Sequence, residues 1–179
     1  MTEIVTPRLV LRPVALTDAA RITELSSDIT VACMTARIPY PNTLAHVTGW
    51  LLSNRTSGER AFATTLDGLV IGVCSYFAET KNDEGEIGYW LGRAYWGQGF
   101  ATEMTRGVIR HAFATTDRTA VSISHFIDNP ASAGVIAKCG FKPAGRRAMH
   151  SLGRGAEVVA LTYALSRAGA EAQPWYHAP

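Results

Sequence analysis

The chain has 179 residues, enough to bury a full core in one domain of ordinary size. With 47% hydrophobic and 18% charged residues it is a folding sequence, and a formal charge of +2 without a long basic run gives no footprint for nucleic acid. No apolar run approaches the roughly 20 residues of a membrane helix, "MTEIVTPRLVLRP" lacks the order of a signal peptide, and Cys33, Cys74 and Cys139 are too scattered for a disulfide framework or a zinc site. A cytoplasmic protein with free thiols and no metal is expected.

In chain order, "RLVLRP" (8–13) reads as a strand stopped by Pro13. "TDAARITELSSD" (17–28) reads as a helix with Thr17 as N-cap and with Ile22 and Leu25 on one face. "RIPYPNT" is a proline-rich loop, and "LAHVTGWLLSN" (44–54) spaces Leu44, Val47 and Leu51 as a helix does. The period then falls to two. "RAFATTL" and "LVIGVCSYF" flank Asp67-Gly68, a hairpin signal, and "NDEG" (82–85) is a second turn before the strand "EIGYWL" (86–91). Helical spacing returns over 100–114, where Ala101, Met104, Val108 and Ala112 form a stripe. "TAVSISHF" (119–126) is a strand. "NPASAGVIAKCG" is a helix marked at both ends, by Asn129 and Pro130 at the start and Gly140 at the stop. "EVVALTYAL" (157–165) is a last strand. The expected fold is a single mixed α/β domain over 1–179 with a largely antiparallel sheet, a core from about 6 to 165 and a C-terminal tail.

"YWGQGFATEM" (95–104) aims a loop with Gly97 and Gly99 at the start of a helix. Free N–H groups and the helix dipole there favour an anion, and glycine lets a phosphate approach the backbone. The glycines alone fit a phosphate cradle or a plain turn equally. The P-loop pattern GxxxxGK[ST] does not occur. The dinucleotide fingerprint fails because Thr102 stands at its third glycine and the loop from Leu91 to Gly97 is too long. A pyrophosphate loop for coenzyme A remains.

The segment "EIGYWLGRAYWGQGFATEM" resembles the central motif of the GNAT acetyltransferases, in the RimJ/RimL branch. "TPRLVLRPVALTDA", "IPYPNTLAHVTGWL" and "DNPASAGVIAKCGFKPAGRR" resemble that branch's opening strand and helix, its substrate-side helices, and its second cofactor motif with the following strand, in that order. The wider superfamily usually carries Gln or Arg where Ala94 stands. The resemblance implies a sheet that splays beside "EIGYWL" and admits acetyl-CoA. The pantetheine arm would pair with the backbone of Trp90 and Leu91. The pyrophosphate would lie over Gly97, Gln98, Gly99, Phe100, Ala101 and Thr102. Asn129 and Ser132 would contact the cofactor arm and sulfur. It implies an N-acetyltransferase acting on an amine, either a protein N-terminus or a small molecule.

Acetyl transfer needs a base for the ammonium and a donor for the leaving thiol. Glu86 is the candidate base, because strand alternation puts it on one face with Gly88 and Trp90; the branch often has Glu here. Ser132, in the first helical turn, is the candidate acid, since the helix position where many relatives carry an acidic Tyr matches Ile136. For Asn129 an N-cap role is a sufficient structural explanation by itself, beside the cofactor contact that the resemblance implies. Glu79, Asp83 and Glu84 read as an acidic mouth or an acidic surface turn. His46, His111, His125 and His150 form no catalytic order; His125 is read as structural, near the cleft. Cys139 is read as core. Arg93, Arg106, Lys138 and Lys142 are the candidates for the ribose 3′-phosphate. Residues 28–56 are expected on the acceptor side. "PWYHAP" is either a docking segment for a second subunit in a homodimer or a disordered tail. The alternative function is an acyl-CoA-binding regulatory module without turnover, and a dinucleotide-binding protein ranks third.

Overall fold

A hairpin organises the first half of the sheet. Strands β3 (Glu59–Leu66) and β4 (Leu69–Phe77) pair antiparallel around Asp67 and Gly68, both at positive φ (50° and 82°) as a two-residue turn requires. Thr64 pairs with Gly72 and Thr65 with Val70, so Ile71 is an extra, bulged residue of β4. β1 (Ile4–Val5) and β2 (Val10–Pro13) extend this half on one side, and β5 (Gly85–Leu91) on the other. Gly72 is required at the β4–β5 contact, because a Cβ there would lie 2.3 Å from the Trp90 carbonyl oxygen. The computed structural model describes residues 2–54, 56, 58–77 and 85–177.

The described strands form one sheet in the order β1-β2-β3-β4-β5-β6-β8-β7. It includes β6 (Ala120–Phe126), β7 (Lys142–Ser151) and β8 (Ala156–Ser166). Every neighbouring pair is antiparallel except β5–β6. A parallel pair needs a crossover, and helix α4 (Phe100–Thr115) supplies it.

The two faces of the sheet carry separate helices. On one, α1 (Ala19–Ser26) and α3 (Leu44–Asn54) pack Ile22, Val47 and Leu51 against Ala61, Ala63 and Val73; the alanines let helices sit close to the sheet. On the other, α4 lays down Met104, Val108 and Ala112, all fully buried, over Phe62, Ile71, Ile87 and Ile123. Helix α5 (Pro130–Cys139) adds Ile136 and Cys139 to that cluster. Asn129 caps it through its side chain and Gly140 ends it at φ 89°, as expected.

Three expectations change. The 17–28 helix does not begin on a Thr17 cap. Leu16–Asp18 is a 3-10 turn and α1 starts at Ala19, because the Asp18 carboxylate accepts from the Ala15 N–H and pairs with Arg12 at 2.7 Å. Asp28 then caps a separate short helix, α2 (Ile29–Ala32). The C-terminal aromatics Trp175 and Tyr176 are half-buried, a placement not expected from the sequence. Ser166 caps a short helix, α6 (Arg167–Glu171), after which Trp175 and Tyr176 pack on the chain's own core.

Candidate active site

The β5–β6 ladder stops at Ile87–Ile123, although β5 runs on to Leu91 and β6 to Phe126, so the strands part from there. Gly92 donates its N–H to the Ile71 carbonyl of β4 at 2.9 Å. Polar groups alternate along an antiparallel strand, so Trp90 and Gly88 also turn their backbone groups to β4. Tyr89 and Leu91 turn theirs to the parted edge, and the Leu91 carbonyl accepts from Trp96 Nε1 at 2.8 Å.

Beyond β5, a 3-10 turn (Arg93–Tyr95) leads to the glycine loop. Gly97 and Gly99 have φ of 75° and 82°, a region costly for any residue with a Cβ. Gly99 is the N-cap of α4 and supplies no side-chain hydrogen bond. The first N–H groups of α4, from Phe100 to Thr102, therefore lack a cap, while Glu103 N–H closes the first turn onto Gly99 O at 3.1 Å. Arg8 braces the loop, a role not read from the sequence. It donates to Gln98 O at 3.0 Å, lies over the Phe100 ring at 4.5 Å, and pairs with Glu103 at 2.7 Å. Burial opposes the charge on Glu103, but hydrogen bonds from Thr6 and from the Arg8 backbone and side chain hold its carboxyl below its ordinary value.

A cleft of about 590 Å³ opens at the parted strands, and Glu86, Trp90 and Ser132 all line it. The glycine loop lies outside its lining. From the expected acceptor segment, Met34 to Pro39, Asn42, His46 and Trp50 line the cleft. Glu86 and Ser132 approach it from different faces. Glu86 shares a strand face with Trp90, which packs against the α1–α3 cluster. Ser132 lies in the first turn of α5, where its N–H donates to Asn129 Oδ1 at 3.1 Å. The Glu86 carboxylate is not bare. Its Oε1 accepts from Arg147 of β7 and from Ser124 Oγ of β6, the latter at 3.3 Å.

Ile136 is only 1% exposed and belongs to the core, so it has no part in the cleft. The nearby phenol is on the strand instead: Tyr89 Oη donates to Ser132 Oγ at 3.0 Å. Burial raises the Tyr89 hydroxyl well above its usual range, only partly offset by Ser132, so it stays protonated. His125 lines the cleft with both nitrogens engaged. Nδ1 donates to Phe126 O at 2.8 Å, which leaves Nε2 to accept from Tyr163 Oη at 3.2 Å. Also missed was Glu59, a buried carboxylate in the cleft wall that accepts from Arg37 at 3.0 Å and from Trp50 Nε1 at 3.3 Å.

Among the basic candidates, Arg93, Lys138 and Lys142 are exposed. Arg106 is engaged within the fold, donating to Lys138 O at 2.6 Å and lying 5.2 Å from the Trp175 ring. Cys139 is buried, and desolvation pushes its thiol up to about 12, which fits the core reading. Glu79, Asp83 and Glu84 lie outside the described residues.

A family model described as an acetyltransferase (GNAT) domain matches residues 8–142, most of the chain. The chain belongs to the GNAT acetyltransferases. A relative named as the uncharacterized N-acetyltransferase p20 of Bacillus licheniformis is 31% identical over 77 residues, which span 42% of this chain and 43% of p20. The match thus covers less than half the length of that relative. Among solved structures, RimL, the ribosomal L7/L12 alpha-N-protein acetyltransferase in complex with coenzyme A, superposes with a TM-score of 0.76 at 21% identity, over 92% of this chain and 98% of RimL. The AAC(6′)-Ib complex with ribostamycin and coenzyme A superposes with a TM-score of 0.80 at 17% identity, over 93% and 98%. At these identities the likeness establishes the GNAT fold.

Proposed function

We propose that this GNAT chain is an acetyl-CoA-dependent N-acetyltransferase that passes the acetyl group directly to an amine in a ternary complex. The observation that carries this reading is the parted β5 edge, with an uncapped helix following it and Glu86 and Ser132 on its two sides. An extended pantetheine arm can pair with such an edge as another strand would. Its partners are the backbone of Tyr89 and the N–H of Leu91, one residue removed from the Trp90 named in the sequence reading. The diphosphate lies over the amides from Gly97 to Thr102, where the α4 dipole favours an anion.

Chemistry then divides between the two faces. The ammonium of the acceptor loses a proton to Glu86, directly or through one water. Arg147 and Ser124 hold that carboxylate in place. The neutral nitrogen attacks the thioester carbon, and a backbone N–H at the open edge polarises the carbonyl. As the C–S bond breaks, its electron pair leaves with sulfur, Ser132 donates a hydrogen bond to it, and the second proton shed by the nitrogen passes through water to that sulfur to give the free thiol. Serine is a weaker acid than a thiol, so Ser132 steadies the thiolate and keeps its own proton. Support for the donor comes from the coenzyme A bound in the RimL and AAC(6′)-Ib structures. The acceptor we propose is an amine, either a peptide N-terminus or a small molecule; a cleft of about 590 Å³ is of a size to hold either.

The test is thiol release from acetyl-CoA across a panel of N-terminal peptides and small amines. With one confirmed acceptor, Glu86→Gln is expected to lower turnover about 10²- to 10⁴-fold near neutral pH. Part of the loss should return at higher pH, where more amine is already neutral, and coenzyme A affinity should hold. Binding of coenzyme A without thiol release over the whole panel would make the chain a binding module instead.

A further inference from the structure

We propose that Tyr89 is a positioning residue for the leaving-group step, acting through the Ser132 hydroxyl. The inference rests on the proposed role of Ser132 and deepens it. A serine hydroxyl has one proton and two lone pairs, and its proton rotates to the best acceptor available. Two neighbours constrain that rotor here. Asn129 Oδ1 holds the Ser132 backbone N–H at 3.1 Å, and Tyr89 Oη lies 3.0 Å from Ser132 Oγ. If Tyr89 were the acceptor, the serine proton would point at the phenol and away from the cleft.

The surroundings of Tyr89 set the direction of that bond. The phenol packs against the core beneath α4 and α5, and burial keeps its proton on. Its ring is carried by β5, where Tyr89 pairs with Cys74 of β4, so it cannot drift with a loop. Tyr89 therefore donates and Ser132 accepts. One serine lone pair is occupied, and the serine proton is left to point into the cleft that both residues line. Donation from Tyr89 also polarises the serine O–H and makes it a stronger donor to developing negative charge. No proton moves along the Tyr89–Ser132 pair. The C–S electron pair moves to sulfur, the proton shed by the acylated nitrogen passes through water to that sulfur, and the Tyr89–Ser132–sulfur chain only shortens.

The two residues are 43 positions apart, which is why neither local pattern pointed to the other.

The experiment is a double-mutant cycle on turnover, using acetyl-CoA and one confirmed acceptor. Tyr89→Phe keeps the ring and removes one hydrogen bond, and is expected to lower kcat roughly three- to tenfold. KM for acetyl-CoA and the unliganded melting temperature should stay near wild type. In the Ser132→Ala background, Tyr89→Phe should cost nothing further. In Ser132→Thr, which retains a hydroxyl, its cost should reappear. A structural role would lower the melting temperature and persist in every background, and that result overturns the proposal. So does an unchanged kcat in Tyr89→Phe beside a lowered kcat in Ser132→Ala, which leaves the Ser132 reading intact. An unchanged kcat in Ser132→Ala breaks the Ser132 reading itself and this inference with it, while acetyl transfer stands.

Discussion

Helices α4 and α5 each follow one of the two parted strands, yet their first turns are finished differently. Asn129 closes the start of α5 with its own side chain, bonded to the Ser132 N–H, and Pro130 removes one further donor. The start of α4 has no such closure. Its cap is Gly99, without a side chain and at positive φ, and Arg8 beside it is tied to Gln98 O and Glu103. One end is partly closed by the protein's own side chains, and the other presents its first N–H groups without a side-chain cap. A closed end positions residues of the chain itself, here Ser132. An open end is free to meet an anion from outside.

Substitution at the two caps gives the sharpest contrast, and the largest effect is expected at Gly99. Coenzyme A at a hundred times its dissociation constant should stabilise the wild-type fold by about 2.7 kcal/mol. Gly99→Ala should lose most of that gain, because in the proposed site a Cβ stands where the diphosphate would approach. The variant will also lose roughly 1–2 kcal/mol without ligand, from the left-handed backbone. The difference between liganded and unliganded denaturation separates the two effects. An equal gain in both proteins would place the diphosphate elsewhere.

Asn129→Ala should do the reverse. The unliganded fold should lose about 1 kcal/mol, as for a removed cap, while the gain from coenzyme A is kept. Urea midpoints with and without ligand measure both. An unchanged midpoint would mean that α5 is held by packing alone.

The smallest effect concerns Glu103 in the first turn of α4. Its folded carboxyl titrates below its ordinary value of about 4.3, so its stabilising contribution is complete above that pH and is lost as pH falls through the lower folded value. Glu103→Gln should therefore be less stable than wild type at pH 6, with the gap narrowing toward pH 3. Urea midpoints across that range test the sign, and a gap that widens on acidification would reverse it.

Much of the fold was legible because its signals are local. The Asp67-Gly68 turn, the α4 stripe from Met104 to Ala112, and both ends of α5 each depend on a few adjacent residues. The start of α1 was misplaced for the opposite reason. Thr17 has the chemistry of a cap, but Asp18 is held by Arg12 of β2, and that pairing sets where the helix begins. The last residues, "PWYHAP", carry no periodic pattern. Only the packed core of α4 and α5 offers Trp175 and Tyr176 a place.

The same division runs through the site. From the sequence alone came a mixed α/β fold and a glycine loop opening a helix, because spacing and alternation are properties of short segments, while the family resemblance added Ser132 and strengthened Glu86 as residues worth placing. Tertiary structure decided that Arg147 and Ser124 grip Glu86, that Tyr89 rather than a helix tyrosine reaches Ser132, and that Arg8 braces the loop. Each of these joins residues far apart in the chain. A hydrogen bond at 3 Å depends on how two elements are seated against each other, and that seating comes from burial of the whole core.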